Sequence, residues 1–110
     1  MKVHLVRKET IEDFATQNAQ SRVSFLEWLD KIKYSDWNKA ADMLDIFPGT
    51  DLLGKDSNRV IFNIGGNKYR MIGRYAFGEK QVHLFICWIG THAQYDKLCK
   101  EGKQYTISNY

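Results

Sequence analysis

Two short stretches hold the side chains best suited to chemistry. In the first, Lys68-Tyr69-Arg70-Met71-Ile72-Gly73-Arg74, an extended strand would carry Lys68, Arg70, Ile72 and Arg74 on one face. Tyr69, Met71, Gly73 and Tyr75 would fill the other. In the second, Thr91-His92-Ala93-Gln94-Tyr95 closes an apolar run. His92 brings an imidazole, a group that titrates near neutrality, and Tyr95, three residues on, shares a helical face with it. An imidazole, a phenol and nearby arginines suffice for metal-free cleavage of RNA. That reaction needs a base for the ribose 2′-OH proton, cations for the phosphorane and an acid for the leaving 5′-oxygen. Each group also has a plainer reading. The cation row is equally a solvated sheet face, and lysines on an edge strand discourage aggregation. His92 is equally a helix-start residue bonded to backbone.

Other candidates carry less. His4 and His83 have no acid or cysteine at ligand spacing, so no metal site is expected. Cys87 and Cys99 make neither a CxxC pair nor a zinc spacing, and read as reduced thiols. Gly65-Gly66-Asn67-Lys68 superficially matches a phosphate loop, but it lacks the Gly-Lys-Ser/Thr ending and sits between two strands, so it reads as a turn. No Gly-x-Ser-x-Gly elbow is present. Trp28 lies on an apolar stripe and reads as core, while Trp37 would plug a gap between helix and sheet. Lys55, Asn58 and Arg59 precede the strands and could touch phosphates, although a solvated loop explains them as well.

The elements that must position these groups follow from periodicity. Residues 3–6 read as a first strand, and Thr10 with Asp13 as a capping box opening a helix with Ile11, Phe14, Ala15 and Asn18 on one face. Ser21 restarts the pattern, and Phe25, Leu26, Trp28, Leu29 and Ile32 form an apolar stripe. A third helix is expected near residues 37–44, capped by Ser35 or Asp36, then a loop over Gly49 to Asn58. From Arg59 onward the residues are β-formers. Three strands are expected, over 59–64, 68–77 and 81–89, with turns at Gly65-Gly66-Asn67 and 78–80. The last is apolar on both faces, with Val82, Leu84, Ile86 and Trp88 on one and Phe85, Cys87 and Ile89 on the other, so it should be central. Gly90 should break it, and Thr91 should cap a final helix holding Tyr95 and Leu98. The fold class is α+β: a small antiparallel sheet of the N-terminal strand plus a three-stranded meander, helices on one face, in a single domain over 1–110.

Composition sets the frame. The chain has 110 residues, 44% hydrophobic, 14% aromatic and 26% charged, which excludes a disordered chain. No apolar run is long enough to cross a membrane, and MKVHLVRKET lacks the apolar stretch of a secretory signal, so a cytoplasmic protein is expected. The formal charge is +3. Residues 1–50 hold eight acids and seven bases, while residues 51–110 hold five acids and nine bases, so the excess cation lies where the chemistry does.

Taken together, four segments resemble the HigB family of bacterial toxins, small mRNA interferases with a RelE-like fold. They are Phe25-Leu26-Glu27-Trp28 with Trp37, Ile46-Phe47-Pro48-Gly49-Thr50-Asp51, Val60 to Ile72, and Thr91-His92-Ala93-Gln94-Tyr95-Asp96-Lys97, together spanning roughly residues 20–98. The pairing of Phe-Asn-x-Gly-Gly-Asn-x-x-Arg with Thr-His-x-x-Tyr-Asp is the specific part. The resemblance implies the toxin of a type II toxin–antitoxin pair. Such a toxin cuts mRNA on the ribosome, needs no metal or organic cofactor, and is silenced by a HigA-like helix-turn-helix antitoxin through which alone it would meet operator DNA; no membrane is involved. By position Arg70 matches the family's sheet arginine, and His92 and Tyr95 its His-x-x-Tyr. RelE relatives place an arginine near the end of the last strand and use a tyrosine near the C-terminus, whereas this strand ends Ile89-Gly90-Thr91. The expected roles are His92 as general acid or base, Tyr95 orienting or assisting it, Arg70 and Arg74 on the phosphate, and Lys55, Asn67 and Lys68 on the RNA. The alternatives are a non-catalytic RNA- or antitoxin-binding module and, less favoured because the meander lacks paired acids, a metal-dependent nuclease.

Overall fold

The first strand, β1 (Lys2–Val6), ends where Arg7 takes a left-handed φ of 61°. A computed structural model describes the chain over residues 1–110. Helix α1 (Glu9–Gln17) follows without a side-chain cap, and Thr10, expected to cap it, is instead buried in its first turn. The bend at Arg7 closes that turn through backbone alone, with Thr10 N–H donating to the Arg7 carbonyl at 3.1 Å. Helix α2 (Arg22–Lys33) turns Phe25, Trp28 and Ile32 inward, at the i, i+3, i+7 spacing of a narrow apolar stripe. Leu29 is half-buried and Leu26 lies exposed, because only one side of the helix meets the sheet.

The third helix comes later than residues 37–44. A 3₁₀ turn over Ala40–Asp42 leads into α3 (Met43–Ile46). The two caps expected for it are engaged elsewhere: Ser35 Oγ donates to the Lys31 carbonyl at 2.7 Å, and Asp36 pairs with the N-terminal amine. Asp42 takes over, accepting from the Asn38 and Lys39 amides at 2.9 and 3.2 Å.

Within the segment expected as loop, Asp51–Leu53 forms a short edge strand, β2, too brief to show a period. The remaining strands are β3 (Arg59–Ile64), β4 (Tyr69–Phe77) and β5 (Gln81–Thr91), in the spatial order β1-β5-β4-β3-β2. The sheet is mixed rather than wholly antiparallel, since β1 lies parallel to β5. The expected turn forms with Gly65 and Gly66 both at positive φ (63° and 66°), where a Cβ is disfavoured. Lys68 belongs to this turn and not to the strand after it.

Strand β5 is longer than expected because Gly90 does not end it. Gly90 pairs with Arg70 and Thr91 with Tyr69. A side chain at Gly90 would put Cβ 2.5 Å from the Trp88 ring and 2.7 Å from Gln94 Oε1, so the glycine is there for space. The pairing also slips once: Ile72 lies opposite Trp88 but Gly73 opposite Ile86, leaving Cys87 as an extra residue. The facing therefore changes. Val82, Leu84, Ile86 and Ile89 join the main core, whereas Cys87 and Trp88 join a second cluster with Ile61, Ile72 and Leu98. This corrects the grouping of Trp88 with Ile86 on one face.

The main core lies between the sheet and α1, α2 and α3, with Phe62 edge-on to both Trp28 and Phe47 and Trp37 fully buried beside Phe47. The second cluster lies on the other face, beneath α4 (His92–Lys100). The α+β class and the sheet helices on one face are as expected; β2 and the covering of part of the second face by α4 are additions. The C-terminal tail crosses that second face. Arg59, buried, donates to the carbonyls of Gln104 (3.2 Å) and Ile107 (2.7 Å), and the Asn109 amide donates to Cys87 (2.8 Å). No helix is long and apolar enough to cross a membrane.

Candidate functional site

The site is built where the β3–β4 turn meets the start of α4. Helix α4 begins with a complete capping box. Thr91 Oγ1 accepts from the Gln94 amide at 3.2 Å, and Gln94 Oε1 accepts from the Thr91 amide at 2.9 Å. The His92 amide, free of any intrahelical partner at this position, donates to the Lys68 carbonyl at 3.0 Å. One backbone bond thus fixes the helix start against the glycine turn, and brings His92 and Lys68 together.

Arg70 is reached from the same turn. It is nearly buried, and its guanidinium donates to the Tyr69 carbonyl at 3.2 Å and to Asn67 Oδ1 at 3.3 Å. Two of its five N–H groups are so used, which fixes the plane and leaves the others for a ligand. Asn67 is therefore a positioning residue for Arg70 as well as an exposed turn side chain.

His92 Nδ1 lies 3.0 Å from Asp96 Oδ2, one helical turn on. A carboxylate at Nδ1 places the ring hydrogen there and leaves Nε2 as the working atom. The sequence reading gave Asp96 no role, although the i, i+4 spacing of His92 and Asp96 was the signal that could have found it.

Tyr95 is half-buried with its ring 6.1 Å from Trp88. Burial is the main cause that drives its phenol well above the ordinary tyrosine value of 10.0; the Cys99 thiol and the Asp51 carboxylate push the same way, and the Arg70 guanidinium pulls back. The phenol thus sits within the fields of Arg70 and Asp51, and at neutral pH it is a proton donor, not a base. Asp51, on edge strand β2, is a second acid at the site that the sequence reading did not single out.

The structure brings together His92, Tyr95, Arg70, Asn67 and Lys68. It does not bring Arg74 or Lys55 to them. Arg74 is four residues from Arg70 along β4, about 13 Å, beyond the buried Ile72, and its guanidinium lies 4.6 Å over the Phe85 ring. Lys55 precedes β3, at the end of the sheet away from the glycine turn, with Nζ 4.6 Å over the Tyr105 ring. The largest cleft, about 450 Å³, lies between α4 and the C-terminal tail and is lined by Trp88, Gln94, Lys97, Leu98 and Lys103 rather than by His92 or Arg70. The candidate site is an open surface, as suits a polymer more than an enclosed small molecule. No group of three or more His, Cys, Asp or Glu side chains is placed to hold a metal ion.

Comparison with known proteins gives a consistent picture. Residues 21–98 match the model of the HigB toxin family, described as the RelE-like toxic component of a toxin–antitoxin system. The mRNA interferase HigB of Escherichia coli O6:H1 is 26% identical over 98 residues, covering 89% of this chain and 93% of that protein. The mRNA interferase toxin HigB of Escherichia coli K12 is 23% identical over 94 residues, covering 86% and 88%. The mRNA interferase HigB of Shigella flexneri matches to the same extent as the K12 protein.

Proposed function

The chain belongs to the HigB toxin family, RelE-like toxic components of toxin–antitoxin systems, and on that premise we propose that it is an mRNA endoribonuclease that cuts without a metal at the junction of the glycine turn and α4. One observation carries the residue assignment: the His92 amide bonded to Lys68, beside Arg70 paired with Gly90. It supports a reading in which an imidazole, a guanidinium and a protonated phenol work at one end of one sheet.

In this reading His92 Nε2 removes the 2′-OH proton, and the 2′-oxygen attacks the adjacent phosphorus. Arg70 balances the charge that builds on the phosphorane oxygens. The P–O5′ bond breaks as Tyr95 gives its proton to the departing 5′-oxygen. An alkoxide is a stronger base than even a buried phenolate, so that transfer runs downhill, and Arg70 stands beside the phenolate formed. The products are a 2′,3′-cyclic phosphate and a 5′-hydroxyl. Lys68 and Asn67 hold the backbone. Arg74 and Lys55 extend the cationic surface without reaching the reacting phosphate.

The partner is the antitoxin that family membership implies. We assign it the helix-turn-helix class, with operator DNA met only through it, and place the toxin's action in the cytoplasm on ribosome-bound message. The experiment is His92→Ala. Cleavage, read by mapping 5′ ends of cellular mRNA after induction, should fall about 10²–10⁴-fold, the span for acid–base catalysis. Near-complete cleavage by folded protein would remove His92 from the role. Wild-type activity that disappears in EDTA would point to a metal. Intact message after induction of the wild type would leave a binding module. Equal cutting of free and ribosome-bound message would remove the ribosome requirement.

A further inference from the structure

On the sheet face that carries Arg70, the half that α4 leaves uncovered has one chemical character. Read in register across β1, β5 and β4, it holds Lys2 and Gln81, then His4, His83 and Ala76, then Val6, Phe85 and Arg74. The acid at its rim, Asp36, is joined to Lys2 by a backbone bridge and its carboxylate is paired with the N-terminal amine. The rings of the block form a chain: the Arg74 guanidinium lies 4.6 Å from the Phe85 centroid, Phe85 stacks on His83 at 6.5 Å and 29°, and His83 meets His4 edge-on at 5.6 Å. His4 and Arg74 are exposed, and His83 and Phe85 half-buried. Core packing does not account for the chain, because the apolar cluster on this face, Ile61, Ile72, Cys87, Trp88 and Leu98, lies under α4.

Flat rings and a guanidinium plane on a sheet face, with cations and no acid among the rings, are suited to unpaired nucleobases. Stacking is tolerant of sequence, and the cations meet the phosphates. We propose that this block is a second RNA-contact surface, which holds single-stranded message beside the cutting end without cutting it. That the RNA is message rests on the nuclease reading above. A duplex hides the faces of its bases and offers a protein mainly its backbone and groove edges, so the ring chain selects a single strand. The block shares a face and strand β4 with Arg70. His83 lies seven residues from Gly90 along β5, about 23 Å, with the C-terminal tail crossing between them at Arg59 and Cys87. RNA held here flanks the cut.

The chain has three histidines, His4, His83 and His92, so each imidazole C–H signal in a proton NMR spectrum reports one place. The intact chain should be titrated with a 2′-O-methyl strand, which cannot be cut, and with the same sequence as a duplex. The His4 and His83 signals should move with the single strand and far less with the duplex. His83→Ala combined with Phe85→Ala should weaken single-strand binding by about tenfold or more, from the stacking each ring supplies. His4→Ala, at an exposed position that cannot threaten the fold, should weaken it to a smaller degree. Unmoved His4 and His83 signals, or undiminished binding by both variants, would overturn the proposal. So would signals that respond only to duplex RNA or ribosomes, which assigns the block to structured RNA, or only to the antitoxin, which makes it a protein interface. A chain that cuts no RNA yet still shows the single-strand response would sink the nuclease reading and leave this surface standing.

Discussion

In the proposed mechanism Asp96 and Tyr95 act in different ways, and single substitutions separate them. The Asp96–His92 pair is about half exposed on each side (57% and 43%), so solvent screens it and it adds little to stability. Its effect is orientation. Asp96→Ala should reduce cleavage several-fold to tenfold while shifting the unfolding free energy by less than about 1 kcal/mol. Asp96→Asn can offer its carbonyl oxygen to the same Nδ1 hydrogen and should recover most of the activity, which a purely electrostatic role would not allow. Tyr95→Phe keeps the packing against Trp88 and removes the donor. Cleavage should drop by roughly 10²-fold at unchanged melting temperature, read with purified protein on message. At this scale the residues proposed to react, His92, Tyr95 and Arg70, were legible as candidates in the sequence, because their chemistry is intrinsic to the side chains. The sequence did not reveal that Arg74 and Lys55 stand apart, because burial of Ile72 under Leu98 and the packing of Lys55 on Tyr105 are tertiary facts.

Strand β5 and helix α4 form one device, joined at Gly90-Thr91-His92. Gly90→Ala would drive a methyl into the Trp88 ring and the Gln94 side chain, and should cost about 1–3 kcal/mol, as overpacking does. Because Gln94 closes the cap that starts α4, the same change should lower cleavage beyond what the lost stability explains, measured on the folded fraction at low temperature. A glycine after an apolar run reads as a terminator from local propensity alone, and here its neighbours in space decide otherwise. The same limit explains β2, whose three residues show no period, and Thr10, whose capping chemistry was pre-empted by the bend at Arg7. The meander, its glycine turn and the Thr91 cap were legible because each depends on residues adjacent in sequence.

At the scale of the whole molecule, alkali should loosen the fold. Burial raises the Cys87 thiol above its ordinary 9.0, and raises the Tyr95 and Tyr110 phenols above 10.0. The folded chain therefore keeps protons that the unfolded chain releases. The stability so gained is complete below pH about 9 and is lost as pH rises through the ordinary values and beyond. The melting temperature should fall from about pH 9 upward, and Cys87→Ser with Tyr110→Phe should blunt the fall; a flat profile would mean these groups ionise freely in the folded state. The extra residue at Cys87 carries a longer consequence. A strand of unbroken parity would send one set of side chains to one core and the other set to its opposite along its full length. Here odd and even exchange duties midway: Val82, Leu84 and Ile86 face α1 and α2 before the bulge and Ile89 does so after it, while Trp88 turns to α4. Were Cys87 instead taken into the ladder opposite Ile72, Trp88 would turn against the helices and Ile89 under α4, so the bulge is what keeps the inside and outside of that end of the sheet as they are.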